Sequence, residues 1–122
     1  MIEGFVDETG AIIVPIFVVG APPDLAQTAM LDTGFNGTLT LPASVVRKLD
    51  LVQSGVVQSM LADGSIITAL LFYADVSWHG AARTIEVQES EGPVLLGMNM
   101  LGGSRLLVDA IPDGRVEITA LS

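Results

Sequence analysis

Asp32 is followed by Thr33 and Gly34 and preceded by the apolar pair Met30-Leu31, so a carboxylate closes an apolar stretch and opens a glycine-bearing loop. About sixty residues later comes an apolar-apolar-glycine run, Leu95-Leu96-Gly97. One carboxylate on its own activates water poorly. Two that are close enough to share a proton divide the work, one acting as base and the other as acid. The triplet occurs once in the chain, so the second carboxylate has to come from a second copy. A homodimer follows from that count.

Apolar stretches rich in Val and Ile, separated by Gly, Pro, Asp and Asn, must position these residues, and they predict an all-β fold with little helix. The expected strands are Gly4 to Val6, Ala11 to Val19, Gln27 to Leu31, Thr38 to Leu41, Val56 to Leu61, Ile66 to Trp78, Ala81 to Glu89, Val94 to Leu96, Arg105 to Ile111 and Arg115 to Ala120. In the longest, Leu70, Phe72, Ala74, Val76 and Trp78 alternate with Tyr73, Asp75 and Ser77, which gives it a core side. Asp63-Gly64 and Asp113-Gly114 have the residues that two-residue hairpin turns demand, and His79-Gly80 is expected to turn the chain between two long strands. Two short helices are expected, over Pro42 to Leu49 and Met98 to Gly103.

At 122 residues the chain has room for one domain, residues 1–122, and its 50 % apolar content exceeds what that core needs. The surplus is expected to cover a partner, with the terminal strands as candidates. With no cysteine, disulfides and Cys-based metal or cluster sites are excluded. His79 is the only histidine, so no imidazole pair can share a metal. A net charge of −9 with five basic residues repels a phosphate backbone, so nucleic-acid binding is not expected, whereas cationic peptide segments would be favoured. The apolar run Ala11 to Val19, broken by Pro15, is shorter than the roughly 20 residues of a membrane span, so no membrane association is expected. Glu3 and Asp7 occupy the region where a signal peptide is basic, which makes a cytoplasmic location the default expectation.

Leu31-Asp32-Thr33-Gly34, the Asp63-Gly64 hairpin and Leu95-Leu96-Gly97-Met98-Asn99-Met100-Leu101 occur in the order and spacing of a retropepsin. From about Ala11 to Leu101 the chain resembles a bacterial single-domain member of that aspartic-protease superfamily. The resemblance implies a closed barrel with a flap hairpin, and endopeptidase activity on peptides or unfolded protein segments, with neither metal nor cofactor. Asp32 would supply the catalytic carboxylate, Thr33 would bond the partner's loop, and Gly34 would bring its N–H close to the carboxylate. Leu95, Leu96 and Gly97 would brace the loop from below. Phe35, Asn36 and Gly37 beside the triplet, and Ala62, Asp63, Gly64 and Ser65 at the flap tip, would face the substrate, with the flap adding a strand to an extended peptide.

Two departures bear on that resemblance. Phe35 stands where the family has Ala, Ser or Thr, which removes a hydroxyl from the carboxylate's surroundings and puts a large ring near the cleft floor. Where viral relatives pair an Arg after the second glycine with an Asp beyond the first, this chain has Met98 and Asn36, so both charges are missing together. Phe35 favours a second reading, a non-catalytic module that binds peptide or dimerises without cleaving. On a third reading the chain is a structural β-barrel subunit with an accidental triplet; the plain reading of the triplet itself is that Asn36-Gly37 is an ordinary turn and Asp32 merely bonds loop amides. Glu86, Glu89 and Glu91 read as a solvated face.

Overall fold

The computed structural model describes residues 1–122, with most of the regular structure in strands: β1 (Ile2–Val6), β2 (Ile12–Ile16), β3 (Gln27–Leu31), β4 (Leu39–Leu41), β5 (Val52–Met60), β6 (Ile66–Trp78), β7 (Ala81–Glu89), β8 (Leu95–Leu96), β9 (Ser104–Val108) and β10 (Arg115–Ala120). The helices are α1 (Ala43–Lys48) and α2 (Met98–Leu101), and one 3₁₀ turn spans Pro23–Leu25. No helix is long and apolar enough to cross a membrane.

The period-two pattern sets the core. Ala74, Val76 and Trp78 of β6 are buried while Tyr73, Asp75 and Ser77 are exposed, and β7 answers with buried Ile85 and Val87. These join Val14, Leu39, Leu41, Leu96, Met100, Val116 and Ile118 in one cluster of 19 buried apolar side chains. The first half of β6 behaves differently. Ile66 and Ile67 are exposed, as are Val56 and Met60 of its partner β5, so the end of the β5–β6 hairpin stands clear of the core.

All ten strands form one sheet in the order β5-β6-β7-β4-β8-β3-β2-β1-β10-β9. The order is linear and β5 does not pair with β9, so the ladder leaves these two strands as edges and the closed barrel implied by the resemblance is not confirmed. The sheet curls nonetheless. Just beyond β2, Val18 makes an isolated bridge to Val76, with Val19 N–H bonding Asp75 O at 2.8 Å and Ser77 N–H bonding Phe17 O at 2.8 Å. The strand expected over Ala11 to Val19 is therefore split: β2 ends at Ile16 and the chain changes neighbour. Pro15 is tolerated because β1 meets β2 only at Ile12 and Ile13, and its missing N–H lies past the end of that ladder.

The turns correct two further expectations. Asp63-Gly64 does not form a two-residue turn. Leu61 N–H bonds Ser65 O at 2.8 Å and Gly64 N–H bonds Leu61 O at 2.9 Å, leaving Ala62, Asp63 and Gly64 as a three-residue loop with Gly64 at φ +86°. Asp113-Gly114 sits in a longer connection that folds back on β1: Asp113 N–H bonds Val6 O at 2.9 Å and Val6 N–H bonds Gly114 O at 3.0 Å. His79-Gly80 is the two-residue turn, both residues having positive φ between the paired Trp78 and Ala81.

Candidate active site

The Asp32 loop connects β3 to β4, and β8 lies between those two strands. β8 runs parallel to β3, pairing Met30 with Leu95 and Leu31 with Leu96, and antiparallel to β4, pairing Leu39 with Leu96. Leu96 is fully buried there. Asp32 N–H bonds Leu96 O at 2.9 Å, extending the ladder one residue past the end of β3, so the carboxylate leaves the sheet from a fixed backbone. Half-buried Asp32 then accepts the Gly34 N–H on Oδ1 at 2.9 Å, and its carbonyl accepts the Phe35 N–H at 3.1 Å. These bonds set the side chain's rotamer within the loop itself.

The far side of the loop rests on the residues after β8. Gly97 N–H bonds Thr38 O at 2.8 Å, Met98 N–H bonds Phe35 O at 2.8 Å, and Asn99 N–H bonds Gly37 O at 3.1 Å. Gly97 has no room for a side chain: a Cβ there would run into Gly37 O and lie 2.7 Å from both Phe35 O and Phe35 Cδ2. The structure thus brings Asp32, Gly34, Leu95, Leu96 and Gly97 together. Phe35 is turned inward, half-buried, with its ring against Gly37 and Gly97. Thr33 and Asn36 are exposed, and so is Met98.

Two supports escaped the sequence reading. Arg83, on β7, donates from Nη1 to Met100 O at 3.2 Å and from Nη2 to Asn99 O at 3.3 Å, binding the last carbonyls of α2 where a helix end favours a cation. Thr40, the one buried polar residue, accepts the Leu95 N–H at 2.8 Å and so ties the start of β8 to β4. A polar residue between two core leucines of a three-residue strand, Leu39-Thr40-Leu41, was the available signal for the second. Of the acidic trio, Glu91 accepts the Ala43 N–H at the start of α1 at 3.2 Å, and Glu86 accepts the Ser54 hydroxyl at 2.8 Å.

At the hairpin tip Ala62, Asp63, Gly64 and Ser65 are all exposed. Asp63 Oδ1 accepts the Ser65 hydroxyl at 2.6 Å and the Ser65 N–H at 2.9 Å, and these bonds hold its carboxyl below the usual carboxylate range. Beside the Asp32 loop lies a pocket of about 640 Å³, lined by Phe35, Asn36, Gly37 and Thr38 together with residues of β5, β6 and β7. The hairpin contributes Val57, Leu71 and Tyr73 from its arms; its tip does not reach the pocket. No group of three or more His, Asp or Glu side chains is placed to hold a metal ion.

No family model matches the chain, and no curated protein matches it in sequence. Among solved structures it is similar to the crystal structure of a retropepsin-like aspartic protease from Rickettsia conorii, with a TM-score of 0.63 at 17 % identity, over 98 % of this chain and 90 % of that one. The match extends over nearly the whole chain, and the protein has the retropepsin-like fold.

Proposed function

We propose that the chain is a homodimeric aspartic endopeptidase whose two Asp32 carboxylates, one from each copy, activate the water that attacks a peptide carbonyl. The observation that carries this reading is the Asp32 loop: its carboxylate is oriented by the Gly34 N–H, its backbone is clamped to β8, and its outer surface is exposed. The ionised carboxylate takes a proton from the water as the water oxygen bonds to the carbonyl carbon, while the protonated carboxyl gives its proton to the carbonyl oxygen. Collapse of the tetrahedral intermediate breaks the C–N bond: the leaving nitrogen takes the proton of the protonated carboxyl while a gem-diol hydroxyl gives its proton to the ionised carboxylate, which restores the singly protonated dyad. Exposed Thr33 is the candidate to donate its hydroxyl to the partner's loop. The β5–β6 hairpin would cover an extended substrate and exclude water.

Phe35 supports the alternative of a non-catalytic peptide-binding or dimerisation module, since no hydroxyl follows the triplet. Against it, the ring packs down onto Gly37 and Gly97. The deciding experiment is peptide cleavage across a pH series with and without a statine-type transition-state mimic. Cleavage that the mimic blocks supports the enzyme, whereas mimic binding without turnover supports the module.

A further inference from the structure

We infer that the pocket beside the Asp32 loop is a recognition site for an arginine or lysine side chain of an extended peptide, with Glu86 as the residue that reads its charge. The inference rests on the peptide-binding reading above and names the substrate class. The pocket is an open groove of about 640 Å³, room enough for a long side chain laid along it. Its apolar wall, Phe35, Val57, Leu71 and Tyr73, suits the methylene stem of a long side chain. Glu86 is the sole formally charged residue in the lining.

The carboxylate is presented rather than consumed. Ser54 Oγ holds Glu86 Oε2 at 2.8 Å, which fixes the side chain and leaves the second oxygen to accept from a ligand. The ion pairs of the chain are both made by Arg115, so none neutralises Glu86. Arg83 is close in sequence but lies on the opposite face of β7, where it is committed to the carbonyls of Asn99 and Met100. Tyr73 is the cross-strand partner of Glu86, so a cation drawn to the carboxylate also meets an aromatic face. Gln88, two residues along the same face, adds a side-chain amide oxygen as a further acceptor. The net charge of −9 raises the local concentration of basic peptides in the same direction.

Two measurements test this. Statine-containing peptides that differ at one position at a time, carrying arginine, lysine, norleucine or glutamate, are titrated by fluorescence anisotropy against the wild type and Glu86→Gln. At one position the wild type is expected to prefer the basic side chains over norleucine by about fivefold or more, as a partly desolvated charge pair gives, and Glu86→Gln to lose that preference. A wild type indifferent to charge at every position, or a preference that survives Glu86→Gln, overturns the inference. The second measurement needs neither catalysis nor statine binding. N-acetyl-arginine methylamide is expected to shift the backbone amide resonances of Tyr73, Glu86 and Gln88 where the norleucine analogue does not, and the shifts should vanish in Glu86→Gln. Equal shifts from both probes, or none, overturn the pocket even if the protein cleaves peptides. Arginine-specific shifts in a protein without turnover would remove the protease reading and leave the pocket standing.

Discussion

A single methyl group tests the floor of the Asp32 loop. Gly97→Ala would drive Cβ into Gly37 O and against Phe35, and main-chain atoms have little freedom to withdraw. A stability loss of about 1–3 kcal/mol is expected from such overpacking, read as a lower melting temperature with reduced affinity for a statine peptide. Phe35→Ala in the same chain should restore only part of the loss, because it removes the ring contact and leaves the carbonyl clash; full recovery would show that the ring alone dictates glycine. Asp32→Asn is expected to abolish cleavage while the far-ultraviolet circular dichroism is retained, since the amide keeps the Gly34 N–H bond to its oxygen but cannot act as the shared-proton base. Turnover close to that of the wild type would assign the activity to another site.

At the scale of elements, the β5–β6 hairpin divides into arms that line the pocket and an exposed tip outside it. Gly64→Val is expected to strain a turn held at φ +86°, lowering peptide turnover and inhibitor affinity more than the melting temperature. Unchanged kinetics in the folded variant would end the flap assignment. The same turn is expected to respond to pH. Because the Ser65 hydroxyl and N–H hold the Asp63 carboxyl below its ordinary value of 3.8, their stabilisation is complete above that value and is lost as pH falls through the lowered one. The expected readout is faster exchange of the Ser65 amide, relative to its intrinsic rate, on acidification through that range, and its absence in Asp63→Ala.

Strands with clean alternation and turn residues at both ends were legible: Gln27–Leu31, Ile66–Trp78, Ala81–Glu89 and Arg115–Ala120 lie where the pattern put them. The neighbours of β8 were not, because two residues carry no periodicity: the apolar pattern marked Val94 to Leu96 as a strand, and only the resemblance set it beneath the Asp32 loop. Arg83 was invisible for a related reason. Its partners are main-chain carbonyls, which leave no mark on side-chain identity. Loop length at Asp63-Gly64 was misjudged because Asp-Gly serves both two-residue and three-residue turns.

In the whole molecule, the linear sheet order limits how two copies can meet. Both sides of β10 are taken, by β1 and β9, so of the two terminal strands expected at an interface only β9 has a free edge. A β9 edge laid antiparallel to its own copy would continue the sheet across a two-fold axis. Leu107, exposed on β9, is the residue to test. Leu107→Lys places like charges on facing strands and is expected to weaken dimerisation by at least about tenfold in sedimentation equilibrium, with the monomer's circular dichroism unchanged. A wild type that stays monomeric at high concentration, with or without a statine peptide, would remove the dimer.

The crossing of β8 beneath the Asp32 loop also sets an order in time. Met30 pairs with Leu95 and Leu31 with Leu96, so the loop has no floor until most of the chain has been synthesised and a long stretch of it has closed on itself. Closing so distant a parallel contact is entropically expensive and belongs late in folding. A ribosome-bound chain that has already exposed Asp32 therefore carries an unbraced carboxylate, and the hydrolytic competence proposed for it would arrive only with the emergence of Leu95 to Gly97. On the protease reading, such a delay would keep a nascent chain, and its neighbours on the polysome, from premature cutting.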